Sequence, residues 1–324
     1  MKLLPTPLLR SLRRPRLVQR AAHFQGVLGT SLEVQVQATS NELARQAVQA
    51  ALDEIARLER VFSRFDPGSE LNRWLNDPLW TASEELCGLL RRAETWRALT
   101  GGAFHPGAEA LTRLWREAEA QGQPPDGAAI SAVLARLDLP VWSEEAGWRP
   151  ALPLNLNAFA KGYIVDRAAH SARLAGASAV LVNIGGDLRH LPSDPHDVGV
   201  PVDLMNPFAP YANAAPLTRL HLHGGGLATS GGAFRGFTVG DARHSHLLDP
   251  RSGQPVKAVV SATVLAPTCA DADALATALS VLEPADSLAL TATLDGVECL
   301  LVTADGRCRS SPGVAYLVSP LTPD

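Results

Sequence analysis

A mixed fold of helices and strands, α/β or α+β, follows from three stretches in which the apolar period changes across a short turn. GTSLEVQVQAT (29–39) alternates Leu32, Val34 and Val36 with polar residues, as a half-buried strand does, and a helical pattern follows at once. AVLVNIGGD (179–187) is a continuous apolar strand, of the kind buried on both faces, broken by paired glycines. SATVLA (261–266) is a β-branched strand that turns at Pro267 into an alanine-rich helix. With 324 residues and 46% apolar content, the chain can bury a sizeable core as one large domain or two small ones.

Taken in order, the chain opens with Lys2, Arg10, Arg13, Arg14, Arg16 and Arg20 and has no acidic residue before position 33. No apolar run there is long enough for a signal-peptide core or a membrane span. Residues 1–26 therefore read as a disordered leader, or as a basic arm for an anionic membrane, with order expected from about Gly29; the compartment stays open, cytoplasmic only by default for want of an export signal. Thr39 and Glu42 can form a capping box, and Leu43, Val48, Leu52, Ile55, Leu58 and Phe62 recur along one face of the helix that follows. Asp66-Pro67-Gly68 dictates a turn, after which Ser69 can start a short helix. Thr81 or Ser83 opens the next helix, which carries Leu86, Leu89, Leu90, Ala93 and Trp96 inward and stops at Gly101. Another helix starts after Pro106, and residues 120–153 form a surface excursion around a short helix over 130–137, leading to a strand near Leu152.

AFAKGYIVDRA (158–168) joins a loop rich in Pro and Asn to an amphipathic helix. Residues 192–215 are loop-like, LTRLHLH (217–223) alternates as a strand, and the glycine-dense GGGLATSGGAFRGF (224–237) reads as a flexible hairpin. A closing hairpin turns at Asp305-Gly306, and residues 317–324 form a tail.

The net charge of −4, the lack of a basic stripe and only 5% aromatic residues argue against nucleic acid as a partner. Cys87, Cys269, Cys299 and Cys308 lack metal-type spacing and read as free thiols. Several stretches can carry chemistry. The start of the AKG helix, where backbone N–H groups lack partners and the dipole is positive, suits a phosphate next to Lys161; a merely solvated first turn is the alternative. Gly185-Gly186-Asp187 and the hydroxyls of Thr229 and Ser230 are placed to touch a ligand, or simply to make turns. Phe65 is either core or the face for a flat ring, and His105 either caps or catalyses. His246, three residues before Asp249 at a strand-to-turn corner, suits a general base. Asp273 and Thr277, four apart, stack two hard oxygen donors on one helical face, as magnesium prefers, or else serve only the helix start.

In their order, LGT (28–30), FSRFDPGSELNRWLN (62–76), GGAFHP (101–106), NLNAFAKGYIVD (155–166), VNIGGDLR (182–189), LATSGG (227–232), HSHLLDPRSGQPV (244–256) and ADALATAL (272–279) resemble the ApbE-type FAD:protein FMN transferases. The resemblance covers residues 28–301. It implies a single α+β unit over 27–316, two-lobed, with antiparallel or mixed sheets flanked by helices and FAD in the groove between the lobes. The implied reaction cleaves FAD with Mg²⁺, links FMN as a phosphodiester to a Ser/Thr hydroxyl of an acceptor flavoprotein in a Ser/Thr-Gly-Ala-Ser/Thr-like motif, and releases AMP. Carried over by position, the carbonyl of Ala158 with Asp273 and Thr277 would hold the metal. Leu28, Phe65, Ala103, Phe104, His105, Asn155, Lys161, Asp187, Ser230 and Leu247 would bind FAD, and His246 with Asp249 would activate the acceptor. The chain departs from the family pattern at His105 and at Asn155 or Asn157, where acids are usual, and at Gly232, which takes the place of an acid in SGG. Each lost carboxylate contact costs about 1 to 3 kcal/mol. The alternatives are an FAD carrier or sensor without transfer, and an FAD pyrophosphatase using water. A hydride-transfer enzyme is disfavoured, because GGD after a strand lacks GxGxxG spacing.

Overall fold

Strands β1 (Val18–Val27) and β2 (Thr30–Ala38) form an antiparallel hairpin in the computed structural model. It describes residues 17–319 apart from 140–141, 144–148, 151–152, 155, 157–158, 195–197, 210, 212–213 and 232–235. Order thus begins before the expected Gly29. β1 escapes an alternation argument because it is an edge strand exposed along most of its length. After the hairpin come α1 (Asn41–Phe62), α2 (Glu70–Asn76), α3 (Glu84–Leu99), α4 (Glu109–Gln121) and α5 (Gly127–Leu137). A small pair, β3 (Trp142–Ser143) and β4 (Arg149–Pro150), precedes α6 (Ala160–Leu174). Then follow β5 (Ala179–Ile184), β6 (Asp187–Leu191), β7 (Val200–Leu204), β8 (Thr218–Leu222), β9 (Gly225–Gly231), β10 (Gly236–Val239) and β11 (Ala242–Ser245). The chain closes with β12 (Val259–Ala266), α7 (Cys269–Val281), α8 (Pro284–Thr291), β13 (Glu298–Thr303), β14 (Cys308–Ser310) and β15 (Val318–Ser319).

Eight strands pair antiparallel in the order β1-β2-β5-β6-β9-β12-β13-β14, so the fold is α+β. One face of this sheet is covered by helices: Leu32, Val34 and Val36 share a buried core with Ile55, Leu58 and Phe62 of α1, Val165 of α6 and Leu275 of α7. On the other face, Leu181, Leu188, Leu227 and Leu300 pack against Leu204, Leu220 and Leu222 of a β15-β8-β7 sheet. That second layer explains why β5 is apolar on both sides. A third cluster, with Leu111 and Trp115 of α4, Leu137 of α5, and Phe237 and Val239 of β10, forms a smaller lobe.

Several local expectations change. Ser40, not Thr39, caps α1 by accepting the Leu43 N–H at 3.2 Å, while Glu42 turns outward to Arg45 and Gln46. Of the two caps open for α3, Ser83 is the one used. β7 lies within the stretch read as loop, and Val318–Ser319, assigned to the tail, pairs with β8. The strand expected near Leu152 is met by β4 at Arg149–Pro150, Leu152 itself lying outside the described residues.

The largest change is at GGGLATSG, which forms the central strand β9 instead of a flexible hairpin. Its glycines serve packing: a Cβ on Gly226 would stand 2.2 Å from the Cys269 nitrogen, where α7 rests on the sheet. Gly226→Ala is therefore expected to lower stability by about 3 kcal/mol, read as a drop in the urea midpoint. A midpoint equal to wild type would mean that α7 is free to lift.

Candidate active site

Sheet register gathers the glycine turns at one end. The Leu28-Gly29 turn closes β1 and β2, Leu32 pairs with Ile184, the Gly185-Gly186 turn closes β5 and β6, and Gly231 pairs with Ser261 beside it. Leu28 itself takes φ +50° in that turn, the left-handed region a non-glycine residue seldom enters. α1 ends and α6 begins at the same end, since the Phe62 ring meets the Tyr163 ring edge-on at 5.8 Å.

Over β6 and β9, α6 meets the first turns of α7 by backbone contact. A Cβ on Gly162 would lie 2.5 Å from the Cys269 carbonyl oxygen, so only glycine fits. The Gly162 N–H, expected to be open to a phosphate, donates to Asp273 Oδ2 at 3.1 Å. One turn further along α6, Asp166 accepts the Cys269 and Ala270 N–H groups, both at 2.9 Å, while Thr268 caps the same helix through the Asp271 N–H. Asp271 in turn accepts from Arg92 at 2.8 Å and from the Trp96 indole at 3.1 Å, which ties α3 to the start of α7.

Lys161 Nζ reaches Asp187 Oδ2 at 2.9 Å. Asp187 and Asp273 are both buried, 1% and 8% exposed, and lie beside one another. Two carboxyls thus surround one ammonium. Burial, together with the neighbouring Asp187, pushes the Asp273 carboxyl well above the usual carboxylate range, and Lys161 and the Gly162 N–H oppose that only in part. Burial also raises Asp187, against the pull of Lys161. For Lys161, burial acts downward, but the two carboxylates outweigh it and the ammonium is held more firmly than usual. Thr277, half-buried one turn beyond Asp273, donates its hydroxyl to the Asp273 carbonyl at 3.2 Å and keeps its oxygen lone pairs.

The flanking loops differ in what they offer a ligand. Phe65 is 78% exposed, with the Arg64 guanidinium 5.0 Å from its ring centre, and is held outward because Ser63 Oγ accepts the Phe65 and Asp66 N–H groups. Ala103 and Phe104 are core: Phe104 packs edge-on against Trp96 and Phe159, so their side chains are closed to a flavin. His105 is also buried; its Nδ1 accepts the Gly107 N–H and its Nε2–H donates to the Leu137 carbonyl, both at 3.0 Å. It ties the loop before α4 to the end of α5. Asp249 accepts the Arg251 backbone N–H and two guanidinium N–H groups, all at 2.9 Å, so its carboxylate is engaged within its own turn. His246 follows β11 directly and is half-buried, and the next residue, Leu247, pairs its backbone with Ser245 and Val256. That turn reaches the other loops, since a Cβ on Gly102 would lie 3.7 Å from Arg251. Ser230 is half-buried on β9, where its carbonyl accepts from Ser280. Asn155, Ala158 and Gly232 lie outside the described residues. The structure therefore unites Lys161, Asp187 and Asp273, brings the Leu28, Phe104 and Asp249 segments to their margin, and gives His105 and Asp249 anchoring contacts.

Asp166 and Arg189 escaped the sequence reading. A signal existed, because Asp166 lies four residues after Gly162 and so on the same helical face. Among the described residues no cluster of three or more His, Cys, Asp or Glu has the makings of a metal centre, so an ion here would draw on hydroxyl and carbonyl oxygens as well. No described helix is long and apolar enough to cross a membrane.

Together these features define an α+β protein with a buried acid–lysine centre where two helices and a sheet end converge. A profile of the ApbE family matches residues 28–301, and the chain belongs to that family. A FAD:protein FMN transferase of Treponema pallidum is 30% identical over 331 aligned positions, covering 94% of this chain and 90% of that protein. A FAD:protein FMN transferase of Rhodobacter capsulatus is 29% identical, covering 88% of this chain and 56% of that longer protein. Crystal structures of the ApbE protein of Thermotoga maritima and of the apo flavinyl transferase ApbE of Pseudomonas stutzeri share the fold. Their TM-scores are 0.77 and 0.74, each at 24% identity, covering 93% and 95% of this chain and 100% and 98% of theirs.

Burial, helped by Arg97 and opposed by the Leu137 carbonyl, lowers the basicity of His105. Protonation would also break the bond that Nδ1 accepts. Above about pH 6.5 the ring is neutral in both the folded and unfolded states, and its contribution to stability is complete. As pH falls below that value, the unfolded chain takes up a proton that the folded protein resists, and stability is lost. Thermal unfolding between pH 7 and 5 should therefore show a shallower acid-side decline in His105→Gln than in wild type. Parallel profiles would mean that the ring protonates freely in the fold.

Proposed function

We propose that this chain is a flavin transferase that moves FMN from FAD to a Ser/Thr hydroxyl of an acceptor flavoprotein, with Mg²⁺, releasing AMP. The observation that carries the reading is the convergence of two buried carboxyl groups and one ammonium where α6, β6 and α7 meet, with Asp187 next to the Gly185-Gly186 turn. Family membership and the names of the relatives support it.

The donor chemistry suits a hard divalent cation. Asp273 and the Thr277 hydroxyl are oxygen donors on one face of α7, and a bound cation would favour the ionised Asp273 carboxylate beside the Asp187–Lys161 pair. Asp273 and Thr277, with the Ala158 carbonyl expected from the family, would hold the ion. When bound, Mg²⁺ supplies charge neutralisation at the phosphate oxygens. Lys161, fixed by Asp187, stands at the start of α6 to add positive charge beside the pyrophosphate. Phe65, held out to solvent, offers a face for the isoalloxazine ring. His246 would take the acceptor hydroxyl's proton as that oxygen bonds to the FMN-side phosphorus. The bond from that phosphorus to the bridging oxygen breaks, and AMP leaves with the oxygen. The acceptor's Ser/Thr-Gly-Ala-Ser/Thr-like motif belongs to this reading. Small residues around the hydroxyl let an extended chain approach a crowded phosphate.

Asp273→Asn retains an oxygen for the Gly162 N–H but removes the charge, so AMP release from FAD should fall by about 10²-fold or more with the fold intact. Lys161→Ala should weaken FAD binding and slow release together. Liquid chromatography of AMP and in-gel flavin fluorescence of a co-expressed acceptor read both steps. AMP appearing without a fluorescent acceptor would favour hydrolysis by water. Wild-type behaviour in Lys161→Ala would remove the α6 start from the site.

A further inference from the structure

We infer that Asp166 is a positioning residue for Asp273, setting where the carboxylate stands by holding the first turn of α7 from outside that helix. The inference rests on the transferase reading above for its use of Asp273. Its geometric basis is a pair of rungs between two helices. Gly162 and Asp166 lie one turn apart on α6, and Asp273 and Cys269 lie one turn apart on α7. The first rung is the Gly162 N–H to Asp273 Oδ2 at 3.1 Å; the second is the Asp166 carboxylate on the Cys269 and Ala270 N–H groups at 2.9 Å each. With no side chain at Gly162, the helices are already at minimum separation there, so the second rung decides how α7 is turned and how far it slides.

Ordinary helix capping does not account for Asp166. Thr268 is the N-cap of α7 and satisfies the Asp271 N–H. The Cys269 and Ala270 N–H groups remain, and they are met by a residue 103 and 104 positions away in sequence. β6 holds both α6 side chains in turn. Asp187 binds Lys161 at 2.9 Å, and two residues along the same strand Arg189 lies 3.5 Å from Asp166 and also donates to the Pro267 carbonyl just before α7. The charges alternate, with a cation then an anion on α6 facing an anion then a cation on β6, so a shift by one pair would set like charges together. Lys161, Asp187 and Asp273 are therefore fixed relative to one another by Asp166 and Arg189, neither of which needs to touch the substrate. Outer partners that orient a metal ligand are commonly worth about 10- to 100-fold in metal affinity or activity when removed.

The test uses Asp166→Asn in the full chain. The amide keeps one acceptor but turns an NH₂ toward an α7 N–H. Two readouts are AMP release from FAD as a function of Mg²⁺ concentration, and amide hydrogen exchange of the peptide spanning 269–273 without metal. The expected result is a rise of about tenfold or more in the Mg²⁺ concentration for half-maximal rate, little change in the KM for FAD, and faster exchange at Cys269 and Ala270. A variant that melts earlier yet keeps the wild-type Mg²⁺ dependence would reduce Asp166 to a structural cap and overturn the inference. Should Asp166→Asn not be recovered folded, Arg189→Gln leaves both α7 bonds in place and frees the carboxylate on one side. A rise of about threefold in the Mg²⁺ requirement is then expected, and no rise overturns the inference. Wild-type protein that releases no AMP at any Mg²⁺ concentration overturns the transferase reading itself, and the positioning role with it.

Discussion

The contact of α6 with α7 at Gly162 is the constraint on which the rest of the centre depends. α7 is trapped between two backbones, with Gly162 on one side and Gly226 of β9 on the other, and neither position tolerates a Cβ. A helix start held that tightly excludes water from its open N–H groups, so partners must come from the protein. Thr268, Asp166 and the Asp271 network with Arg92 and Trp96 supply them. Asp273 and Asp187 are buried by the same contact, and a buried carboxylate is tolerable only when paired and hydrogen-bonded. Lys161 and the Gly162 N–H supply that pairing.

Around this rigid centre the loops divide into anchors and contacts. Ser63 and Asn72 fold the segment after α1 on itself, with Asn72 donating to the Ser63 and Asp66 carbonyls, and so leave the Phe65 ring in solvent without loosening the backbone. His105 and Asp249 do the opposite: His105 spends its ring nitrogens on backbone and Asp249 its carboxylate on the Arg251 N–H and guanidinium, and each fixes a loop. An acid at position 105 would lack the imidazole's donor toward the Leu137 carbonyl, so the histidine has a local structural role there. The small lobe built on Trp115, whose indole donates to the Gly253 carbonyl at 2.9 Å, carries the 249–253 turn beside the 101–105 loop.

Much of this was legible in the sequence. The 3.6-residue pattern through Ile55, Leu58 and Phe62 and the caps at Ser69 and Ser83 are local, and local rules found them. β1 and β9 were missed for opposite reasons. β1 is an edge strand without a buried face to impose alternation, and β9 has glycine where a strand usually advertises side chains, because a helix lies against it. The candidate residues Lys161, Asp187 and Asp273 were found by type and motif, yet the helix start first read as a phosphate cradle spends its Gly162 N–H on Asp273.

Neighbours in the chain set the helices and most of the strands, the family and the cast of charged residues, since periodicity, capping and motif order are local properties. Which charge faces which was decided only by the tertiary structure. Lys161 and Asp187 are 26 positions apart, and Asp166 and Cys269 are 103 apart. No local rule couples such residues, because their meeting depends on sheet register and on two helices closing to backbone contact. That closure turns a common lysine–glycine pair and two scattered aspartates into one buried centre.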